Sequence, residues 1–209
     1  MYHNKVRNDK TSRVLKALVK IAEKEFVPSI GPIKGKIVTK IIKKCKPRNI
    51  LEIGTLYGYS AILMASMLPS SSSNGRVVTI EINKSVAEAA IKNIEDAGLS
   101  DKITVVIGNA LNVIPKLDLR FQLMFLDAAK DEYLSYLKLA EKKCLEIGAV
   151  VVADNVRVSK DKMLEYLEYV RYSGLYKSET IETILEFTPK IKDAIEVSIK
   201  IDQMNKDEV

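Results

Sequence analysis

Two short stretches of the chain carry acids, an amide and a lysine at spacings that suit chemistry. Asp127 follows the apolar pair Phe125-Leu126 and is itself followed by Ala128-Ala129-Lys130-Asp131. Asp154-Asn155 follows Val152-Ala153 and precedes Val156. Two carboxylates and an amide oxygen make a hard, all-oxygen donor set. With water and substrate oxygens completing an octahedron, Mg²⁺ is its natural occupant, although Mn²⁺ and Ca²⁺ accept the same ligands. Either aspartate alone reads as the cap of a following helix. Both together, at the ends of neighbouring strands, read as a metal site. Lys130 stands three residues past Asp127, and a partly desolvated lysine beside a divalent cation can serve as a general base. His3 is the sole histidine, so any mechanism must do without histidine as base or ligand.

The second constellation is Leu51-Glu52-Ile53-Gly54-Thr55-Leu56-Tyr57-Gly58-Tyr59-Ser60. It sits where a buried strand gives way to a helix. Glycines there let the backbone turn sharply and approach a ligand, and the helix start offers free amide donors. Gly54-x-x-x-Gly58 lacks the middle glycine of the dinucleotide fingerprint, because Leu56 stands where backbone would approach a pyrophosphate. Glu81, at the end of the next strand, can accept hydrogen bonds from both hydroxyls of a ribose. A nucleoside cofactor without phosphate therefore fits better than a nicotinamide dinucleotide. Glu52 could instead serve structure, holding backbone amides of the turn.

The elements that position these residues follow from periodicity. Val14, Leu15, Leu18, Val19, Ile21 and Ala22 recur at helical spacing, and a second helix spans 33–45, stopped by Pro47. Strands are expected at 49–53, 77–82, 103–107, 123–126 and 149–153, and helices at 60–68, 84–97 and 133–145, with Gly98 and Gly148 as stops. The polar stretch 70–75 reads as a surface turn. Strands alternating with helices imply a doubly wound, Rossmann-like, mostly parallel α/β sheet. Two β-rich runs at 180–187 and 194–201, separated by 188–193, read as an antiparallel hairpin closing one edge. The whole is expected as a single domain, with N-terminal helices over 1–48 packed on a core over 49–201.

Composition bounds the alternatives. Apolar residues make up 47% and charged residues 29% of 209, the balance of a globular chain. The net charge of +6 is mostly lysine, read first as a solubilising surface and second as a phosphate-contacting patch. Cys45 and Cys144 form no Cys-x-x-Cys pair, so neither a disulfide framework nor a zinc site is suggested, and a reducing cytoplasmic setting fits. No run reaches the ~18 apolar residues of a membrane helix.

Taken together, these motifs resemble the metal-dependent catechol O-methyltransferase family of class I methyltransferases. The similarity runs from about Phe26 to Ile201. It is carried by Gly35-Lys36-Ile37-Val38, the segment from Leu51 to Ala65, Thr79-Ile80-Glu81-Ile82-Asn83 and Ile114-Pro115. It continues through Phe125-Leu126-Asp127 with Lys130, Ala153-Asp154-Asn155-Val156 and Leu185-Glu186-Phe187. The resemblance implies that Asp127, Asp154 and Asn155 hold Mg²⁺, that Lys130 takes the proton of the reacting hydroxyl, and that Glu186 contacts the second hydroxyl. Read unaided, Glu186 is simply an acid in an edge strand. The resemblance further implies S-adenosylmethionine as cofactor. The backbone around Ile30 and the side chain of Ser60 would hold its methionine part, Glu81 its ribose, and the turn through Gly54, Thr55, Leu56, Tyr57 and Gly58 its sulfonium region. Glu52, Ala110 and Asp127 complete the expected cofactor contacts.

The chain departs from the family where the walls of the pockets should be. Ala128 and Ala129 stand where the family has a histidine and a tryptophan, Phe26 replaces another tryptophan, Pro28 a methionine and Ser159 a proline. The expected acceptor is thus a small catechol-like molecule whose identity the residues leave open. A tRNA base hydroxyl is the rival acceptor, suited by the lysine-rich first helix but not by the few aromatic side chains. A non-catalytic cofactor-binding protein is the other alternative, and the presence of both Asp127 and Lys130 argues against it. A homodimer is left open.

Overall fold

Residues 2–25, 27–69 and 75–202 are described by the computed structural model of the chain, residues 2–6 by their backbone alone. Phe26 and all of the expected turn at 70–75 except Gly75 lie outside them. Five apolar runs pair side by side: Asn49–Ile53 (β1), Arg76–Glu81 (β2), Ile103–Ile107 (β3), Phe121–Leu126 (β4) and Leu145–Ala153 (β5). They lie parallel in the order β3-β2-β1-β4-β5. The chain therefore winds outward from β1 in one direction, returns, and winds outward again from β4. The crevice beyond the carboxyl ends of β1 and β4 is the switch point where such sheets bind ligands.

The strands are apolar on both faces because both faces are covered. Leu51, Ile53, Met124, Leu126, Val151 and Ala153 face one core. Their sequence neighbours Ile50, Leu123, Phe125, Val150 and Val152 face the other. The first core is closed by Ala110–Val113 (α5), Tyr133–Lys143 (α6) and Leu164–Tyr172 (α7), and the second by Tyr2–Glu25 (α1), Gly31–Cys45 (α2), Tyr59–Met67 (α3) and Lys84–Asp96 (α4). Full burial of a side chain such as Phe125 or Ile53 contributes about 1.5–3 kcal/mol. Helix α4 starts where Asn83 Oδ1 accepts the amides of Ser85 and Val86 at 3.0 and 3.3 Å, and it stops at Gly98, whose φ is +72°.

The remaining strands, Tyr176–Leu185 (β6) and Thr188–Lys200 (β7), form the expected antiparallel hairpin, with β7 against β5 and β6 outermost. The hairpin is longer and its turn tighter than the sequence suggests. Leu185 pairs with Thr188, leaving only Glu186 and Phe187 in the turn, with Phe187 at φ +59°. Residues 188–192 are exposed, Ile191 among them, because this end of the hairpin projects past the sheet, and the polar Thr188, Lys190 and Lys192 imitate a loop. Other features differ as well. Helix α2 begins at Gly31, with Pro32 in its first turn where a missing amide costs nothing. Strand β5 begins at Leu145, not 149, because Gly148 (φ +79°) lies in a bulge between the pairs Phe121–Leu145 and Leu123–Val150, and does not mark the helix end. Helix α7 was not expected at all; Tyr166, Leu167 and Val170 supply its buried face.

Candidate active site

Strands β1, β4 and β5 each extend the ladder by one residue, and those extra residues meet. Gly54 N donates to Ile80 O at 3.0 Å, Asp127 N to Ile53 O at 3.0 Å and Asp154 N to Leu126 O at 3.1 Å. Gly54, Asp127 and Asp154 thus lie side by side just beyond β1, β4 and β5. Gly54 has φ +97°, and a Cβ built on it would come within 2.2 Å of the Asp127 carbonyl oxygen. The glycine is required by this close approach of two strand ends.

A cavity of about 550 Å³ opens over that edge, within the size range of small-molecule sites. Of the residues expected on the cofactor side, Ile30, Gly54, Thr55, Leu56, Tyr57, Ser60, Glu81, Ala110 and Asp127 line it. Glu52 and Gly58 do not. Gly58 instead sits at φ +85° as the N-cap of α3. Glu52 is fully buried on the side of the sheet that carries Ile50 and Phe125, and neither of its oxygens meets a hydrogen-bond donor in good alignment. Burial pushes its carboxyl up to about 8; the hydroxyls of Ser60 and Thr79 lie near enough to temper that rise, and Asp127 and Glu81 add to it. The structural work considered for Glu52, holding the amides of the turn, falls to Glu81. Glu81 Oε2 accepts from Thr55 N at 3.3 Å and Leu56 N at 3.0 Å, and Oε1 from Asn83 N at 2.9 Å. These bonds hold Leu56 at φ +48°, a conformation unusual for leucine.

A second, smaller cavity of about 250 Å³ adjoins the first and shares Val27, Pro28, Ser29, Asp127 and Asn155 with it. Its other walls include Lys34, Asp154, Leu185, Glu186 and Phe187. Lys130 reaches the junction from the larger cavity: its Nζ donates to Asp127 Oδ1 at 2.9 Å and to the Tyr133 hydroxyl at 2.7 Å. That hydroxyl in turn donates to Leu126 O at 2.8 Å. Glu186, at the hairpin turn, accepts from the amide of Ile33 at 3.1 Å and of Lys34 at 3.1 Å, so it caps the start of α2. Burial raises its pKa, and the two amides hold that rise back.

The acidic corner is electrostatically tense. Asp154 is 2% exposed, and burial together with the nearby Asp127 carboxylate pushes its pKa up to about 6. Lys34 Nζ lies 2.7 Å from Asp154 Oδ1, yet that oxygen has no donor in hydrogen-bond alignment. The same Nζ donates to Asp193 Oδ2 at 2.6 Å. Burial lowers the Lys34 pKa, but the two carboxylates outweigh it and hold the group above its usual value. Among the described residues no three His, Cys, Asp or Glu side chains gather as a metal site. The candidate set here is two carboxylates and an amide. A buried carboxylate oxygen without an aligned donor, beside a second carboxylate and an amide oxygen, fits a hard cation.

The structure brings all of Lys130, Asp127, Asp154, Asn155 and Glu186 to the walls of these two adjoining cavities. Sequence reasoning missed Lys34, Asp193 and Tyr133. Lys34 is one lysine among many by type, and only its 1% exposure separates it from the surface set. It also missed Glu132 and Tyr136, which hydrogen-bond each other on the wall of the larger cavity beyond Ala128 and Ala129.

The profile of a family described as O-methyltransferase matches residues 5–197. Over 184 residues the chain is 35% identical to the mouse (Mus musculus) catechol O-methyltransferase, a match covering 85% of this chain and 67% of the mouse protein. The chain thus spans about two thirds of that relative's length. Among solved structures, an O-methyltransferase from Bacillus cereus in complex with SAH superposes with a TM-score of 0.79 at 27% identity, covering 90% of each chain. An O-methyltransferase from Streptomyces achromogenes involved in tomaymycin synthesis, in complex with SAM, gives 0.78 at 28% identity over the same shares.

Proposed function

The chain belongs to the O-methyltransferase family and is an S-adenosylmethionine-dependent O-methyltransferase; we propose that it methylates one hydroxyl of a catechol-like small molecule with the help of a divalent cation, Mg²⁺ foremost. The observation that carries this reading is the junction of the two cavities at Asp127 and Asn155. A nucleoside-sized chamber and a smaller acceptor chamber meet beside the oxygen-rich corner.

In this reading Asp127, Asp154 and Asn155 hold the cation. The walls at Ile30, Ser60 and the turn from Gly54 hold the methionine end of the cofactor, with Glu81 and Ala110 toward the nucleoside. The cofactor supplies a methyl group already activated on sulfur, and the cation favours the ionised form of a vicinal hydroxyl pair. Lys130 Nζ receives the proton of the reacting hydroxyl, and the Asp127 carboxylate and Tyr133 hydroxyl it already touches stabilise the resulting ammonium. Glu186 accepts from the second hydroxyl with a lone pair that the α2 amides leave free. Enclosure between α2, the glycine turn and the hairpin aligns the reacting oxygen and excludes water, so proximity supplies much of the rate.

Methyl transfer from S-adenosylmethionine to caffeate, with Mg²⁺ and with excess chelator, tests this directly. Turnover that disappears with chelator supports the reading. Chelator-insensitive turnover removes the cation from it. Intact cofactor binding with no turnover on any catechol removes the acceptor class and turns the search to larger acceptors, tRNA among them.

A further inference from the structure

The oxygen-rich corner is braced by a residue that lines neither cavity. Asp193, on β7, is 0% exposed and accepts from four donors. Its Oδ2 takes Lys34 Nζ at 2.6 Å and Asn155 Nδ2 at 3.0 Å. Its Oδ1 takes the backbone amides of Arg157 at 3.3 Å and Val158 at 3.2 Å. Lys34 in turn lies 2.7 Å from Asp154. One side-chain chain, Asp154–Lys34–Asp193–Asn155, therefore closes on two consecutive residues of the corner and ties together α2, the loop after β5, and β7.

The chemistry of the partners gives this brace a direction. An ionised carboxylate only accepts, so the Asn155 amide must turn its nitrogen toward Asp193 and its oxygen away. The oxygen is the end that a hard cation can use. The two amides held by Oδ1 fix the loop just beyond, and Asn155 itself sits at φ +62°, a left-handed conformation that asparagine tolerates. Lys34 supplies a positive charge between two buried carboxylates, Asp154 at 2.7 Å and Asp193 at 2.6 Å, and its loss would leave Asp193 buried without that partner.

We propose that Asp193 and Lys34 are positioning residues of the cation site: Asp193 presents the Asn155 oxygen to the cation, and Lys34 holds Asp154 in register with it. This rests on the reading that Asp127, Asp154 and Asn155 bind a divalent cation. Removing such an outer partner typically costs 10- to 100-fold in metal affinity.

Mn²⁺ binding to the full-length, cofactor-free protein, followed by the loss of the free-ion electron paramagnetic resonance signal, measures this without turnover. In Asp193→Asn the affinity for Mn²⁺ should fall at least ~10-fold while S-adenosylhomocysteine affinity stays within about twofold of the unaltered protein. Asn155→Asp alone sets two carboxylates face to face and should also lose Mn²⁺. The exchange variant Asn155→Asp with Asp193→Asn restores a donor–acceptor pair in reversed order and should bind Mn²⁺ more tightly than either single variant. Asp193→Asn with Mn²⁺ affinity within twofold of the unaltered protein overturns the proposal, as does an exchange variant no better than both singles. If Asp193→Asn does not fold, recovery of folding and Mn²⁺ binding in the exchange variant supports the pair; an exchange variant that also stays unfolded assigns Asp193 to the fold alone and overturns it. An unaltered protein that binds S-adenosylhomocysteine but no Mn²⁺ removes the cation reading itself.

Discussion

The two loops that frame the site are each anchored by one carboxylate, and the two anchors come from very different distances along the chain. On the cofactor side Glu81 accepts the amides of Thr55 and Leu56, 26 and 25 residues away. On the side of the oxygen-rich corner Asp193 accepts the amides of Arg157 and Val158, 36 and 35 residues away, and also Lys34 at a separation of 159. The first anchor belongs to the next strand of the same winding unit, so β1, its turn, α3 and β2 suffice to build it. The second needs the helix before the sheet, the loop after β5 and the hairpin at once. A cofactor chamber can be made from consecutive elements, whereas the corner where chemistry is expected is made only by the completed fold.

That contrast is open to experiment, beginning with the largest effect. Lys130→Ala should lower kcat by about 10²–10⁴-fold with S-adenosylhomocysteine affinity changed less than twofold, read by steady-state kinetics and calorimetry. A matching loss of cofactor binding would erase the division between the halves. Gly54→Ala strikes where the halves touch, since its Cβ would meet the Asp127 carbonyl at 2.2 Å and its φ is +97°. A loss of about 3 kcal/mol or more in urea denaturation is expected, from strain at a position with no room to relax. Unchanged stability would mean that the strand ends can part freely.

The smallest effect concerns Glu52, beneath the cofactor half. Its carboxyl is raised from 4.5 to about 8 by burial, so the folded state holds a proton that the unfolded chain releases. The stability linked to this group is fully present below pH 4.5 and is lost as pH rises through about 8. The slope is at most about 1.4 kcal/mol per pH unit. Thermal unfolding of the ligand-free protein should show this decline, and Glu52→Gln should flatten it. A stability that instead rises across the window would place the charge elsewhere.

The same division explains what was legible beforehand. The run Asn49–Ile53, the glycine turn, the Asn83 cap and the two aspartates at strand ends are local signals, each set by its immediate neighbours. Glu81 reads from the sequence as a ribose-binding acid and not as the anchor of the turn, because a carboxylate at a strand end looks alike in both roles. Lys34 and Asp193 carried no signal: one sits in a lysine-rich helix, the other in a polar stretch that reads as a loop. Their meaning comes from burial, and burial here is decided by β7 slotting against β5. Gly148 misled for a related reason, since a glycine at a bulge and a glycine ending a helix are the same letter.

The place of β7 in the sheet also governs when the site can come into being during synthesis. Among the described residues β6, made first, pairs only with β7, and β7 alone covers the flank of β5. Until that last strand is made, β5 is a bare edge with unpaired backbone groups, the kind of surface that invites pairing with another chain. One docking event therefore sheathes that edge and delivers Asp193 to Asn155. The nascent chain passes from a form vulnerable to misassembly to one with a finished oxygen-rich corner in the same step, and a partly folded chain lacking β7 has an open edge and no Asp193 beside Asn155.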